Sequence, residues 1–287
     1  MAKRSIVASA LVCTAILLVY FPVLSSLVRQ WSSDENYSHG FIIIPFAAYF
    51  AWQKRDALKA APERPNIGGL LLVIGSLLVL LAGLFGAELF LTRISLIGIV
   101  AGSVWFLWGS AHLRLLAFPI LLLFLMVPLP AIVFNQIAFP LQLLASRVGE
   151  TVLTAAGVPV LREGNVLELA TTKLEVAQAC SGIRSLISLL TLGIILGKLA
   201  EPRLGVRVLL AVLTVPVAIA ANAARVAGTG LAANWLGAEA AEGFLHTFSG
   251  WLVFVAAFSL LLLAQRVLAR PNLFPAFARR RHAVIGA

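Results

Sequence analysis

The chain has 287 residues, of which 61% are hydrophobic and 12% are charged, whereas an ordinary soluble domain has roughly 25% charged residues. This composition excludes a water-soluble globular protein, because no soluble fold can bury so large a share of apolar side chains. The net charge of +10 does not indicate nucleic-acid binding, since basic clusters such as Arg279 to Arg281 are typical orientation signals beside anionic lipid. We therefore expect membrane lipid, and no nucleic acid, as a partner.

Apolar runs between charged residues predict about eight transmembrane helices, because one crossing needs about 20 apolar residues. The second predicted helix is the shortest. The sequence therefore predicts an all-α polytopic membrane protein, organised as a single transmembrane domain over residues 1–287. The predicted helices cover residues 6–27, 40–53, 67–86, 94–110, 115–134, 182–199, 207–228 and 247–265.

The longest stretch between predicted helices, residues 135–179, is expected to form a small cap on the outer face. Its first half mixes polar residues such as Gln142 and Glu150 with leucine and alanine, which favours an amphipathic helix lying in the membrane interface. Its second half alternates apolar and polar residues over 160–169 and 173–176, with Gly164 and Asn165 at a turn. This period predicts short β-strands.

Positive charge is distributed unevenly over the predicted loops. With the N-terminus in the cytoplasm, most of the 22 basic residues and few of the 12 acidic residues fall on the cytoplasmic side. Loops rich in lysine and arginine remain on that side of a membrane. The sequence thus predicts that both termini are cytoplasmic.

Three residues of chemical interest fall at predicted outer ends of helices, and so at a similar depth in the membrane. Cys180 precedes the sixth predicted helix, Arg225 lies at the end of the seventh, and His246 lies at the start of the eighth. A thiol reacts as its thiolate, which a helix N-terminus or a cation favours; Ser181 suits a helix start. A histidine can carry protons near neutral pH, and an arginine can stabilise an oxyanion. Together these groups suit acyl transfer through a thioester.

Each of these residues also has a structural interpretation. A cysteine in a membrane helix is usually a small apolar packing residue, which is what we expect of Cys13. Arg225 can extend its guanidinium to lipid headgroups, and His246 can belong to a polar interfacial belt. Their shared position favours the catalytic interpretation.

Further candidates surround this group. Arg184 follows Cys180 by one helical turn and can bind a carboxylate of a substrate or of an outer loop. Glu242 precedes His246 by four residues, so in a helix it can orient the imidazole. His39 lies on the outer side before the second predicted helix, where it either lines the same cavity or caps a helix.

No known metal or nucleotide motif occurs in the sequence. The chain lacks HExxH and Walker patterns, and its two cysteines, Cys13 and Cys180, are far apart in sequence. We therefore expect no metal site, no cofactor and no disulfide framework.

The sequence resembles the exosortase and archaeosortase family of multi-pass membrane transpeptidases. The resemblance rests on Ala179 to Ser185 (ACSGIRS), on Asn222-x-x-Arg225 and on His246 to Gly250 (HTFSG), in that order, with an early Tyr37 to Phe41 (YSHGF).

This resemblance implies a Cys180, Arg225 and His246 site at the outer membrane surface, with Cys180 as nucleophile. It implies substrates that are exported proteins ending in a Pro-Glu-Pro sorting signal (PEP-CTERM), a transmembrane helix and a basic cluster. It also implies an inner-membrane location in a bacterium and a link to exopolysaccharide production and biofilms.

Two other classes of function remain open at this stage. A channel or carrier for polysaccharide or lipid-linked sugar would use Arg225 and His246 to line a polar path. A scaffold of an export complex would need none of the three residues. Replacement of Cys180 by serine separates the enzyme from both, since only the enzyme requires a thiol nucleophile.

Overall fold

A computed structural model of the chain describes residues 3–170, 172–176, 182–237 and 244–269. These residues form a helical protein with one small antiparallel sheet, which confirms the predicted fold class. The elements in chain order are α1 (Lys3–Ser33), α2 (Gly40–Gln53), α3 (Arg55–Ala60), α4 (Ile67–Phe85), α5 (Leu89–Trp108), α6 (Ser110–Leu122), a 3-10 helix (Leu123–Met126), α7 (Ala131–Ala155), β1 (Val160–Glu163), β2 (Val166–Leu169), β3 (Lys173–Glu175), α8 (Ile183–Ala200), α9 (Leu204–Leu236) and α10 (Phe244–Leu268).

Within the described residues, seven helices are long and apolar enough to cross a membrane, which makes the chain a multi-pass membrane protein. They are α1, α4, α5, α7, α8, α9 and α10. Two shorter apolar helices cover Gly40–Gln53 and Ser110–Met126, the second of them formed by α6 together with the 3-10 helix.

The region 115–155 differs from its prediction. The predicted span over 115–134 is not one helix, because the chain leaves helical geometry between Met126 and Ala131. Pro128 and Pro130 lie in this gap; proline lacks a backbone N–H and disfavours helical geometry in the preceding residue. The next helix, α7, begins earlier than the predicted interfacial helix and is long enough to be a membrane span.

The chain divides into two compact units, Met1–Ala131 and Ile132–Ala287. In the first unit, α4 and α5 pack closely through glycine. A Cβ on Gly69 would lie 2.2 Å from the backbone nitrogen of Phe106, so only glycine permits this approach. The Tyr20 hydroxyl of α1 donates to Ser95 Oγ of α5 at 3.1 Å, which fixes α1 against the same pair.

In the second unit, α9 is the central helix. Leu189 of α8, Ala218 of α9 and Ala257 of α10 form one buried cluster. At the other end of these helices, Arg203 binds Glu201 (Nε to Oε1, 2.7 Å) and donates to the carbonyl oxygen of Leu268 at 2.8 Å. This contact fastens the end of α10 to the loop between α8 and α9.

The three strands form the predicted β-cap of the second unit, in the order β1-β2-β3. Val160 pairs with Leu169 and Glu163 with Val166, so Gly164 and Asn165 form the hairpin turn as the sequence indicated. The turn docks on α7, whose Ser146 hydroxyl donates to the Gly164 carbonyl oxygen at 3.0 Å.

The β-cap also connects α7 to α9. Leu153, Leu167, Val176 and Val226 belong to one buried apolar cluster. Helices α7 and α9 run in the same direction where they meet. A Cβ on Gly149 would lie 2.8 Å from Val226 Cγ1, and a Cβ on Gly230, one turn further along α9, would lie 2.8 Å from Leu153 Cδ1, one turn further along α7.

Candidate active site

The predicted site residues fall into two groups. Arg184, Asn222 and Arg225 are described with their side chains, whereas of His246 the structure describes the backbone, which is part of α10. Cys180, Ser181 and Glu242 lie outside the described residues.

The start of α8 presses against α9 at Asn222. Gly182 precedes α8 with a φ of +77°, a left-handed conformation that favours glycine. A Cβ at this position would lie 2.7 Å from Asn222 Cγ and 2.8 Å from its Cβ. Asn222 is 5% exposed. The backbone two residues after Cys180 is therefore in direct contact with the helix that carries Arg225.

Arg225 connects α9 to α10. It follows Asn222 by three residues and so lies on the same face of α9. A Cβ on Gly250 would lie 3.2 Å from Arg225 Cζ and 3.3 Å from Nη2, so the guanidinium rests on the α10 backbone. Gly250 follows His246 by four residues, which places both positions on one face of α10. One turn of helix thus separates the guanidinium from position 246.

The segment before position 180 is anchored in the β-cap through Val176. Val176 donates its backbone N–H to the Asn165 carbonyl oxygen at 2.8 Å, directly after β3. Its side chain is 2% exposed and belongs to the same cluster as Val226, the neighbour of Arg225. The chain before residues 177–181 thus belongs to the apolar cluster that contains Val226, and the chain after them packs on Asn222, one turn earlier in α9.

A small apolar pocket lies beside this contact. Gly182 and Asn222 form part of its wall, and Leu141, Leu186 and Ile219 contribute apolar side chains from α7, α8 and α9. Sequence reasoning did not identify these residues, since leucine and isoleucine in a membrane helix carry no distinguishing signal. Arg184 is half-buried in the first turn of α8.

The β-cap carries an ion pair close to this region. Arg162 Nε of β1 lies 2.8 Å from Glu150 Oε2 of α7, and both side chains are partly shielded from solvent. Two polar side chains of α7 thus bind the cap: Glu150 pairs with Arg162, and Ser146 donates to the hairpin turn.

His39 lies in the first unit and is 7% exposed. Its Nε2 lies 3.1 Å from the Leu125 carbonyl oxygen, and Trp31 Nε1 donates to the Met126 carbonyl oxygen at 3.0 Å. Burial lowers the pKa of His39, so its neutral form is favoured. Both side chains hold the 3-10 helix, and the side chain of His39 does not cap α2.

Among the described residues, no group of three or more histidine, cysteine, aspartate or glutamate side chains could hold a metal ion. The described part of the site contains the guanidinium of Arg225, which packs on Gly250, and the carboxamide of Asn222, which packs on Gly182.

Comparison with family models finds one whose description is transmembrane exosortase, and it matches residues 31–263. This match covers the β-cap, α8, α9 and most of α10. Comparison with curated proteins and with solved structures finds no match.

Proposed function

Because this chain belongs to the transmembrane exosortase family, we propose that it is a membrane cysteine transpeptidase that cleaves C-terminal sorting signals of exported proteins. In this proposal Cys180 is the nucleophile, Arg225 stabilises negative charge and His246 transfers protons. Arg184, Ser181, Asn222, His39 and Glu242 have substrate-binding or supporting roles in this proposal.

The observation that carries the proposal is the pair of glycine contacts on α9. Gly182 meets Asn222 and Gly250 meets Arg225, so one turn of α9 contacts the neighbours of both Cys180 and His246. Chain connectivity alone keeps the Cα atoms of residues 180 and 182 within about 7 Å of each other. In the proposed mechanism, a thiol from the segment before α8, a guanidinium from α9 and an imidazole from α10 act on one substrate carbonyl.

The reaction proceeds in two steps. The Cys180 thiolate attacks the scissile carbonyl carbon, a C–S bond forms, and Arg225 donates hydrogen bonds to the resulting oxyanion. The C–N bond breaks as His246 gives its proton to the leaving amine. An acceptor amine or water then attacks the thioester and gives a proton to His246; the C–S bond breaks and the thiolate is restored.

The membrane setting supports this substrate class. A protein held by its own C-terminal transmembrane helix is confined to the plane of the membrane, which raises its effective concentration at a membrane-embedded site. The proposal places the chain in the inner membrane, both termini in the cytoplasm and the active site on the periplasmic side. The proposal also includes substrates of the PEP-CTERM type and a role in exopolysaccharide and biofilm systems.

The decisive experiment is mass spectrometry of a trapped acyl-enzyme. The full chain, purified in detergent, is incubated with a sorting-signal peptide and quenched in acid, which preserves a thioester. We expect the peptide fragment attached to Cys180, and none in Cys180→Ala; Cys13→Ala is the matched control and retains the adduct. Unchanged substrate processing by Cys180→Ala would refute the enzyme and favour a transporter or scaffold.

A further inference from the structure

A second charged site lies in the first unit. Arg93 follows the start of α5 by four residues and is only 3% exposed. Its Nη2 donates to Ser26 Oγ of α1 at 3.3 Å, which is a long hydrogen bond. Its Nε is fully buried without a hydrogen-bond partner, and among the described residues it forms no ion pair. A buried cation held this weakly is costly inside a membrane protein and indicates a functional site.

The acidic groups near Arg93 do not neutralise it by contact. Glu88 attracts it electrostatically but is exposed, and its Oε1 accepts a hydrogen bond from the Phe90 backbone N–H. Tyr37 is buried, and burial together with the charge of Asp34 raises the pKa of its phenol. Tyr37 therefore stays a neutral hydroxyl at physiological pH and does not neutralise the charge of Arg93.

A second cation lies at the rim of the same site. Ser26 is half-buried, and Arg29 follows it by three residues on α1, so these two side chains are neighbours on the helix surface. Arg29 is exposed. A buried guanidinium, a hydroxyl and an exposed guanidinium thus line up from the interior to the surface, which suits an anion with several acceptor oxygens.

The depth of this site matches that of lipid headgroups. Ser26 lies seven residues before the end of α1, or about 10 Å, and Arg93 lies about 6 Å from the start of α5. Helix α1 has 31 residues and exceeds the roughly 30 Å hydrocarbon core, so its ends reach the headgroup regions. Phe21 and Val28 of α1 are exposed apolar residues that suit contact with lipid chains.

We propose that Arg93, Ser26 and Arg29 bind the phosphate group of an anionic phospholipid at one end of α1. A phosphate offers the acceptor oxygens that the two guanidinium groups and the hydroxyl require. The surrounding bilayer supplies phospholipid continuously, whereas a free phosphate ion would have to be captured from water.

The test uses the full chain, purified in mild detergent and supplied with phosphatidylglycerol, phosphatidylcholine or inorganic phosphate. Native mass spectrometry counts the bound molecules. We expect one retained phosphatidylglycerol, and about tenfold weaker retention in Arg93→Gln, as for the loss of one charge-assisted hydrogen bond. Arg114→Gln removes an exposed arginine from the same unit and is the matched control, with unchanged retention.

Two further variants keep the proposal testable if Arg93→Gln does not fold. Arg93→Lys preserves the charge and is expected to retain phosphatidylglycerol, whereas Ser26→Ala weakens retention about threefold. If inorganic phosphate binds and phosphatidylglycerol does not, the site recognises phosphate, but its ligand is a dissolved ion and not a lipid. Equal retention of phosphatidylglycerol and phosphatidylcholine, or Arg93-dependent binding of a carboxylate peptide in place of lipid, would overturn the proposal.

Discussion

Arg225 of α9 and Gly250 of α10 are in van der Waals contact through the guanidinium group. A Cβ on Gly250 would lie 3.2 Å from Arg225 Cζ, which is closer than most such contacts in proteins. The absence of a side chain at position 250 therefore determines where the guanidinium lies. Position 246 lies one turn earlier in α10, so this contact brings the guanidinium close to the backbone turn that carries residue 246.

We predict that enlarging position 250 reduces activity without unfolding the protein. Gly250→Ala requires a shift of a few tenths of an ångström at the flexible end of Arg225, so we expect a loss of a few-fold in kcat/KM. Gly250→Leu displaces the guanidinium further, and we expect a loss of about a hundredfold, as for a misplacement of 1 Å. The measurement is cleavage of a sorting-signal substrate in proteoliposomes.

Gly228 provides the matched control for this prediction. It lies in α9, and a Cβ there would meet nothing within 4 Å. Gly228→Leu should therefore retain wild-type activity and the same thermal unfolding temperature. If Gly250→Leu were as active as Gly228→Leu, Arg225 would have no role that depends on its position.

We predict that Gly182→Ala destabilises the second unit through two separate effects. Its φ of +77° is unfavourable for alanine by about 1–2 kcal/mol, and its Cβ would lie 2.8 Å from Asn222 Cβ. Gly157→Ala carries the first effect alone, because Gly157 has a φ of +76° and open space around it. Thermal unfolding in detergent should show the larger loss for Gly182→Ala. Equal losses would mean that the chain at 182 moves away from α9 without cost.

The sequence predicted the long apolar helices well, because their signal depends only on composition. The helices over 67–85 and 183–200 agree with their predictions to within a few residues. The β-cap was also predictable, since alternation of apolar residues and the turn at Gly164 are local signals. The cytoplasmic location of the termini, the single-domain organisation and the cap over 135–179 as a segment stay predictions.

Features that depend on a partner in space could not be predicted. The polar residue Glu150 was visible in the sequence of α7, but its partner Arg162, which binds it from β1, was not. The same holds for Gly182 and Gly250: a glycine in sequence gives no sign of which side chain rests against it. The positions of Cys180, Arg225 and His246 at predicted outer helix ends led to the prediction of one site. The contacts of Gly182 with Asn222 and of Gly250 with Arg225, which bring α8 and α10 against α9, could be seen only in the structure.

We predict that the Glu201 and Arg203 pair stabilises the second unit at pH values above the ordinary pKa of a glutamate. The hydrogen bond from Arg203 is the main cause that lowers the pKa of Glu201 from its usual 4.5. A group with a lowered pKa contributes stability above its unfolded-state value, and this contribution is lost as the pH falls through the folded-state value. Glu201→Gln should cost about 2 kcal/mol at pH 7.

The pH profile of thermal unfolding checks this prediction. The unfolding temperatures of wild type and Glu201→Gln should converge as the pH falls from 7 towards about 3. Asp56→Asn is the control, because the Arg55 and Asp56 pair is exposed at 3.8 Å and such surface pairs contribute at most about 1 kcal/mol. A constant difference between wild type and Glu201→Gln over this range would show that packing, and not ionisation, is responsible.

We predict that Arg225 controls the reactivity of Cys180. A thiol reacts with iodoacetamide as its thiolate, and a nearby permanent cation favours that form. In a Cys13→Ala background, which leaves one cysteine, Arg225→Gln should slow alkylation of Cys180 about tenfold at neutral pH. Arg147→Gln, which removes an exposed arginine of the same unit, should leave the rate unchanged.

Arg225→Lys distinguishes the two roles that Arg225 can have. Lysine keeps the charge but loses the planar set of donors, so it should preserve alkylation while reducing turnover if Arg225 both favours the thiolate and binds the oxyanion. If Arg225→Gln reduces turnover but leaves alkylation unchanged, Arg225 acts on the oxyanion alone, and the thiolate of Cys180 must be favoured by the start of α8. If Arg225→Gln reduces neither the alkylation rate nor the turnover rate, Arg225 is not part of the active site.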